Sequence, residues 1–179
     1  CMGYEIPGAM GVKVADPSRE VYAFVGDGTY LIMPSEIVTA VQEGIKVIIV
    51  LVNNHGFASI GGLSQSLGSS GFGTRFRMRD SKSGQLDDDY LPVDFAVNAS
   101  SLGAHAITAC NIDEFRQALK EARNTPRTTV IVVQTEREER VPGYGSWWDV
   151  AVAETSTIDS VKHARQDYEE AIKKERYFL

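Results

Sequence analysis

Val21-Tyr22-Ala23-Phe24-Val25-Gly26-Asp27-Gly28, and further along Val47-Ile48-Ile49-Val50-Leu51-Val52-Asn53-Asn54, decide the fold. Each is an apolar run of strand length that ends abruptly in glycine, acid or amide. Between them, Ile37, Val38 and Val41 form an apolar stripe at helical spacing, and Gly44 stops it. Strand, helix, strand, with both strands apolar on each face, is the pattern of a parallel βαβ unit. Pro34 suits the first helical position. Asp27 and Asn54 are then delivered to the C-terminal ends of two strands, the edge where open parallel sheets bind ligands.

The alternation continues outward. Upstream, Gly3 to Ala15 reads as a helix with Pro7 in its first turn, and Asp16-Pro17-Ser18 as a turn. Downstream, Pro92–Leu102 reads as a helix ending at Gly103, and Ala104–Ala109 as a strand. Asn111 with Glu114 is a capping-box pattern for a helix running to about Arg123. Thr129–Val133 is another strand. The fold class is therefore α/β: a doubly wound, mostly parallel sheet with helices on both faces. Residues 1–140 read as one such domain. Residues 141–179 read as an aromatic, glycine-broken segment followed by an amphipathic helix from Ile158 to about Arg176, packing on the same domain. Ser156 and Asp159 are its candidate caps, and Ile158, Val161, Tyr168 and Ile172 share one face.

Residues 55–90 break the pattern. They hold seven of the chain's 16 glycines, many serines and the run Asp87-Asp88-Asp89. A loop of this length beside a ligand edge reads as one that orders over ligand.

Composition narrows the function. A net charge of −6 leaves no broad basic field for nucleic acid or an anionic membrane. No apolar run reaches the ~20 residues of a membrane span. An anion would thus be held locally, by backbone N–H groups and a metal. Cys1 and Cys110 are too few for a disulfide framework or a zinc site, which points to a reducing compartment, the cytoplasm. The chain starts at Cys1 in mid-pattern, as a piece of a longer polypeptide would.

Asp27 and Asn54 carry the chemical argument. One carboxylate oxygen of Asp27, the amide oxygen of Asn54 and the carbonyl of Gly56 would give Mg²⁺ three hard oxygen ligands, with diphosphate oxygens and water completing an octahedron. Gly26 and Gly28 remove side-chain bulk, so the Gly28 and Thr29 N–H groups are open to a phosphate. The competing reading is structural: Asp27 as a helix N-cap and Asn53-Asn54 as an ordinary strand-end turn. On the metal reading, Asp27→Ala should lose metal-linked binding while keeping the fold, because the turn tolerates a small residue.

Other motifs fail. The dinucleotide fingerprint needs a glycine where Leu31 stands. Gly68–Gly73 follows no strand. His55 is next to Asn54, His105 reads as strand filler and His163 as helix surface. Asp87-Asp88-Asp89 reads as a solvated loop, Cys110 as a buried small residue. Trp147 and Trp148 either close over a ligand or pack the tail helix.

With these residues placed, the chain resembles the diphosphate-binding, C-terminal domain of thiamine diphosphate-dependent enzymes. Their motif is Gly-Asp-Gly, a spacer and Asn-Asn, here Gly26-Asp27-Gly28 to Asn53-Asn54. The resemblance extends to Met2-Gly3-Tyr4-Glu5-Ile6-Pro7, a pattern carried by members of the acetohydroxy acid synthase type. It implies thiamine diphosphate and Mg²⁺ as cofactors, with Asp27, Asn54 and Gly56 as metal ligands. It implies cofactor contacts at Met2, Gly26, Asp27, Gly28, Thr29, Asn54, Gly56 and Phe57, Met2 being the residue that bends the cofactor. The pyrimidine-binding and middle domains would lie upstream, and the activating glutamate would come from a partner subunit of a homodimer or homotetramer. No catalytic residue is assigned in this chain; Glu36 reads as structural. The loop after Asn54 and the tail Gly145–Val150 resemble the branch of the family that hydrolyses a carbon–carbon bond in a cyclic polyol dione. The alternatives are a carboligase or decarboxylase of the acetohydroxy acid synthase type, a non-catalytic phosphate-binding module, or an interaction domain that docks a partner.

Overall fold

A computed structural model describes residues 1–139 and 149–176. The segment holding Trp147 and Trp148 lies outside the described residues. Two compact units are present. The first comprises Cys1–Phe57 and Asp89–Arg137, the second Ala58–Asp88 and Glu138–Leu179.

The first unit is built on a four-stranded, all-parallel sheet. Its strands are β1 (Tyr22–Gly26), β2 (Ile48–Asn53), β3 (His105–Ala109) and β4 (Thr129–Gln134), in the order β1-β2-β4-β3. The helices are α1 (Glu5–Ala15), α2 (Asp27–Tyr30) and α3 (Glu36–Gln42), then α5 (Phe95–Ser101) and α6 (Ile112–Asn124); α4 (Ala58–Ser66) lies in the second unit. Register places Tyr22, Ile48, Thr129 and His105 in one row across the sheet. Side chains alternate from that row, so each strand feeds both faces. On one face Ile48, Ala109 and Ile131 pack with Ala118 and Ala122 of α6, and Phe115 and Leu119 close over them. On the other, Ala23, Val25, Ile49, Leu51, Val130 and Val132 are buried, with α1 against β1 and α5 against β3 and β4.

The expected parallel α/β order is thus what forms. Alanines on α6 let it approach the sheet closely. Its N-cap is the predicted one: Asn111 Oδ1 accepts from the N–H groups of Asp113 and Glu114, at 3.1 and 2.9 Å. Glu114 answers by accepting from the Cys110 N–H at 2.7 Å, one residue earlier than the capping box predicts. Asn111→Ala should cost about 1 kcal/mol of stability, read by urea denaturation. At the end of α3, Ile45 N–H donates to the Ala40 carbonyl and Gly44 N–H to Val41, with Gly44 at φ 65°. This Schellman arrangement is why the helix stops at the expected glycine.

Several expectations are corrected. The segment after Asp27 is not a turn but the one-turn helix α2, anchored by Tyr30, which is buried and stacks edge-on against Phe95 at 5.9 Å. The Tyr30 hydroxyl donates to Asn98 Oδ1 at 2.8 Å, and burial pushes its pKa up to about 12. Pro34 stands outside α3, ahead of Ser35, which holds the N-cap position without a side-chain hydrogen bond. The buried side chains of α3 are Ile37 and Ala40, while Val38 and Val41 are exposed. Helix α5 starts at Phe95 rather than Pro92, because Asp94 caps it by accepting from the Val97 N–H. Phe24 is 65% exposed, so β1 is buried on one face only. It is an edge strand, and α6 covers the opposite half of the sheet. Cys110 is exposed, not buried, since it stands past the end of β3.

The second unit contains α4 (Ala58–Ser66) and α7 (Asp159–Ile172). The predicted loop 55–90 therefore carries a helix. Its glycines are placed for close approach as well as freedom. Gly68 has φ 82°, and a Cβ there would come within 2.5 Å of the Ser160 backbone. Ser160 Oγ donates to the Gly68 carbonyl at 2.7 Å. The first turn of α7 is thereby tied to the residues after α4. Val161 is the buried residue of α7, Tyr168 and Ile172 are half-buried, and Ile158 is exposed, so the predicted face is displaced at its start. Neither candidate cap forms: Ile158 holds the N-cap position without a side-chain hydrogen bond, Ser156 Oγ accepts from the Ile158 N–H ahead of the helix, and Asp159 pairs with Lys162.

Candidate functional site

The ends of β1 and β2 are adjacent and parallel, so Asp27 and Asn54 emerge at one edge. The fold brings them together through the carboxylate. Asp27 is fully buried. Its Oδ1 accepts from the Gly28 N–H at 2.7 Å and the Gly56 N–H at 3.3 Å. Its Oδ2 accepts from Asn54 N–H at 3.1 Å and Gly56 N–H at 3.2 Å. Asp27 therefore bridges the two strand ends. It is not an N-cap: Gly26 holds that position, without a side-chain bond. Burial pushes the Asp27 carboxyl above its ordinary value, opposed by the backbone N–H groups of Gly28, Gly56, His55 and Asn54.

The two asparagines divide the work. Asn53 is 2% exposed and structural. Its amide donates to Gln134 Oε1 at 2.9 Å, and its Oδ1 accepts from the His55 N–H. Asn54 Oδ1 is buried and has no hydrogen-bond partner among the described residues. A buried amide oxygen without a donor is costly unless something else occupies its lone pairs. His55 lies between, with φ 57°, a left-handed conformation rare outside glycine, and Gly56 follows at φ 152°. This pair of unusual backbone states turns the chain back over Asp27. The His55 ring packs edge-on to Tyr90 at 5.5 Å, and the Arg137 guanidinium covers the other ring at 4.0 Å. Burial, then Arg137, lower the His55 pKa. The sequence marks His55 only by its place beside Asn54; nothing in the pattern signals the Tyr90–Arg137 stack.

The glycines separate as well. A Cβ on Gly26 would meet nothing within 4 Å among the described residues, so its bareness serves no packing among them and leaves room for a ligand. A Cβ on Gly28 would lie 2.6 Å from the Phe57 ring. Gly28→Ala should push that ring aside and cost about 1–3 kcal/mol, measured as a lowered urea midpoint. The Gly28 N–H is occupied by Asp27, so it is not open to a phosphate in this state, contrary to expectation. Thr29 is half-buried within α2. Met2 is 41% exposed. The adjoining Gly3 approaches Ile32 and Met33 so closely that a Cβ would fall 2.7 Å from Ile32 Cγ2, which brings the Met2 stretch to the same edge.

A hard cation fits this set. A buried carboxylate, a buried unpartnered amide oxygen and a loop carrying a glycine carbonyl are all oxygen donors, as Mg²⁺ requires. Among the described residues no group of three or more His, Cys, Asp or Glu could hold a metal. His105 instead meets Glu121 at 2.6 Å, and His163 is exposed on α7. Asp87, Asp88 and Asp89 are exposed.

Fold and edge together define the class: a parallel α/β domain presenting an acid, an amide and bare glycines at the C-terminal ends of two adjacent strands. The thiamine pyrophosphate enzyme C-terminal TPP-binding domain model matches residues 1–133, and the chain belongs to that family. The chain is 42% identical over 178 residues to a 3D-(3,5/4)-trihydroxycyclohexane-1,2-dione hydrolase of Geobacillus thermodenitrificans, covering 99% of this chain and 28% of that protein. It is 39% identical to the protein of that name from Clostridium botulinum, with the same coverage. The chain thus spans 28% of the length of these relatives. Among solved structures, benzoylformate decarboxylase from Polynucleobacter necessarius is similar at a TM-score of 0.65 and 23% identity, over 78% of this chain and 24% of that one. A thiamine diphosphate-dependent 4-hydroxybenzoylformate decarboxylase from Rhodococcus jostii is similar at 0.62 and 24%, with the same coverage. These two likenesses speak to fold. No helix among the described residues is long and apolar enough to cross a membrane.

Proposed function

We propose that this chain holds the diphosphate of thiamine diphosphate through Mg²⁺ bound by Asp27, Asn54 and the Gly56 carbonyl. The observation that carries the reading is the buried, unpartnered Asn54 Oδ1 beside the buried Asp27 carboxylate. Gly26 leaves space for the diphosphate, and Gly28, Thr29 and Phe57 flank it. Met2 contacts the cofactor from the N-terminal side. When bound, the cofactor supplies a thiazolium carbon that adds to a carbonyl and accepts the electrons of a breaking carbon–carbon bond. This chain's own part is to hold the diphosphate and to keep the two strand ends in register. The activating glutamate belongs to a pyrimidine-binding domain of a partner subunit in a homodimer or homotetramer, so this chain alone turns over nothing.

The relatives' names support a further step. The longer polypeptide hydrolyses a carbon–carbon bond of trihydroxycyclohexane-1,2-dione, opening the ring to 5-deoxy-glucuronate in inositol catabolism in the cytoplasm. Calorimetric titration with thiamine diphosphate, with and without Mg²⁺ and with ADP as control, tests the binding step. Mg²⁺-dependent binding at least about tenfold tighter than ADP is expected; that ratio is about 1.4 kcal/mol of selectivity. Equal binding of ADP would replace the reading by a generic phosphate module. Product analysis of the longer polypeptide separates ring opening from carboligation or decarboxylation.

A further inference from the structure

At the N-terminal edge of the sheet, opposite the edge that carries Asp27 and Asn54, the first unit has a concavity of about 160 Å³. Its floor is apolar: Val21, just ahead of β1, and Ile48, which opens β2, are buried there. Its rim is charged. Lys13 comes from the last turn of α1, and Arg19 and Glu20 from the loop that follows. Lys46 comes from the segment ahead of β2. The binding of diphosphate at the opposite edge draws on none of these residues.

The charges around this pocket do not cancel. Glu20 is its one acidic lining residue, and Glu20 is drawn aside: its Oε1 accepts from Arg123 Nε at 3.0 Å and from the Tyr22 hydroxyl. Asp16, earlier in the same loop, is also taken. Its Oδ1 accepts from the Ser18 N–H at 3.1 Å and the Ser18 hydroxyl at 2.6 Å, and its Oδ2 from Arg19 Nε at 2.9 Å. Lys13 and Lys46 are left with carbonyls. Lys13 Nζ donates to the Pro17 carbonyl at 2.8 Å and to that of Arg19, and Lys46 Nζ to that of Arg123. A carbonyl occupies a donor but leaves the charge in place. An ammonium has three donors, so one remains on Lys13 and two on Lys46. The carbonyls also hold both side chains, so less rotamer freedom is lost when a ligand arrives. Tying loops explains the bonds already made. It does not explain two like charges on one concavity in a chain of net charge −6, where they repel unless an anion joins them.

The pocket's size and chemistry select the ligand. Its volume falls below the roughly 300 Å³ at which sites for drug-sized ligands begin, so it takes one small group rather than a nucleotide. The open positions are donors on cations, so the ligand must accept. Lysine binds phosphate as a point charge, without the forked geometry of arginine. A phosphate dianion brings one negative charge for each ammonium and oxygens for all three remaining donors. Inorganic phosphate and the end of a phosphate monoester both present that group.

We infer that the pocket between Lys13 and Lys46 binds a phosphate dianion, free or as the end of a monoester, at a site separate from the diphosphate edge. The test is a titration of the ¹⁵N-labelled full chain at constant ionic strength, without Mg²⁺ or thiamine diphosphate, so this inference and the metal site can fail separately. The probes are inorganic phosphate and glucose 6-phosphate, with glucose and chloride as controls. At least one phosphate should give saturable shifts at the Val21, Lys46 and Ile48 amides, and the controls should give none. Equal affinity would name free phosphate as sufficient, and a tighter monoester would name the ester as the occupant. Lys46→Gln and Lys13→Gln each keep a donor for a backbone carbonyl and remove the charge. Each should weaken binding about tenfold, as loss of one charge-assisted hydrogen bond implies. Should one of them disturb its loop, the other reads the same pocket from the opposite wall. Glu20→Gln, which removes the one lining acid, should tighten binding. Absence of saturable shifts, shifts confined to Gly26, Gly28 and Gly56 at the other edge, equal shifts from glucose, or binding unchanged by both lysine variants would overturn the inference.

Discussion

Asn54→Ala is expected to abolish Mg²⁺-dependent thiamine diphosphate binding while leaving the metal-free chain as stable as before. The two effects separate because of how this residue is built in. Its backbone N–H donates to Asp27 Oδ2 at 3.1 Å, and alanine keeps that bond. Its side-chain Oδ1 has no partner among the described residues, so nothing in the fold depends on it. Deleting an unsatisfied buried oxygen is nearly neutral, within about 1 kcal/mol. Losing one oxygen ligand of a hard cation is not neutral. Changing groups that merely orient metal ligands already costs about 10–100-fold, and a ligand itself should cost at least the upper figure. Calorimetry gives the binding loss, and urea denaturation of the metal-free chain gives the stability. An Asn54→Ala protein that bound the cofactor normally would remove Asn54 from the site. One that unfolded would show the amide to be structural.

Asp27→Ala should fail differently, losing both cofactor binding and stability. From the sequence, the turn looked tolerant of a small residue. The structure overturns that. The carboxylate takes N–H bonds from Gly28, Asn54 and Gly56, and so joins the ends of β1 and β2. Removing it leaves three backbone donors to find water at a largely buried position. At about 1–3 kcal/mol per unsatisfied group, with partial rehydration, a loss of about 2–4 kcal/mol is expected. Asp27→Asn is the finer probe, since it keeps one acceptor oxygen and removes the charge. Burial holds the Asp27 carboxyl above its ordinary value. A raised folded pKa contributes stability that is present below the unfolded pKa and lost as pH rises through the folded one. The metal-free wild type should therefore lose stability relative to Asp27→Asn as pH rises from below the ordinary carboxylate range toward neutrality. Mg²⁺ with the diphosphate should restore it in the wild type alone. A pH-independent difference between the two proteins would mean that the carboxyl titrates alike folded and unfolded.

The contrast between these two residues shows what kind of site this is. Asp27 is structural and chemical at once, because the same oxygens that would face a cation tie down the backbone. Asn54 Oδ1 has no hydrogen-bond partner among the described residues, and its proposed role is toward the cation alone. Asn53, its neighbour in the same motif, is committed to the fold through Gln134. In the sequence the two amides are indistinguishable. Alternation along β2 separates them: Asn53 continues the strand's buried face, and Asn54 is the first residue past the strand's end.

The sequence by itself determined the parallel sheet. Runs such as Ile48–Leu51 and Val130–Val132 are apolar without alternation, and only a strand covered on both faces tolerates that. It also determined the helix stops at Gly44 and Gly103 and the Asn111 cap, since these rest on local backbone chemistry. The candidate site was legible for the same reason: Asp27 and Asn54 each close a strand, and adjacent parallel strands end at one edge. What only the tertiary structure decided depends on contacts distant in sequence. Phe24 is exposed because α6 covers the other half of the sheet. The segment after Asp27 coils into α2 because Tyr30 finds Phe95 and Asn98, far along the chain. His55 is fixed by Tyr90 and Arg137, and by an amide pair joining β2 to β4. No local pattern encodes such meetings, because burial and pairing are properties of the packed chain rather than of any window along it.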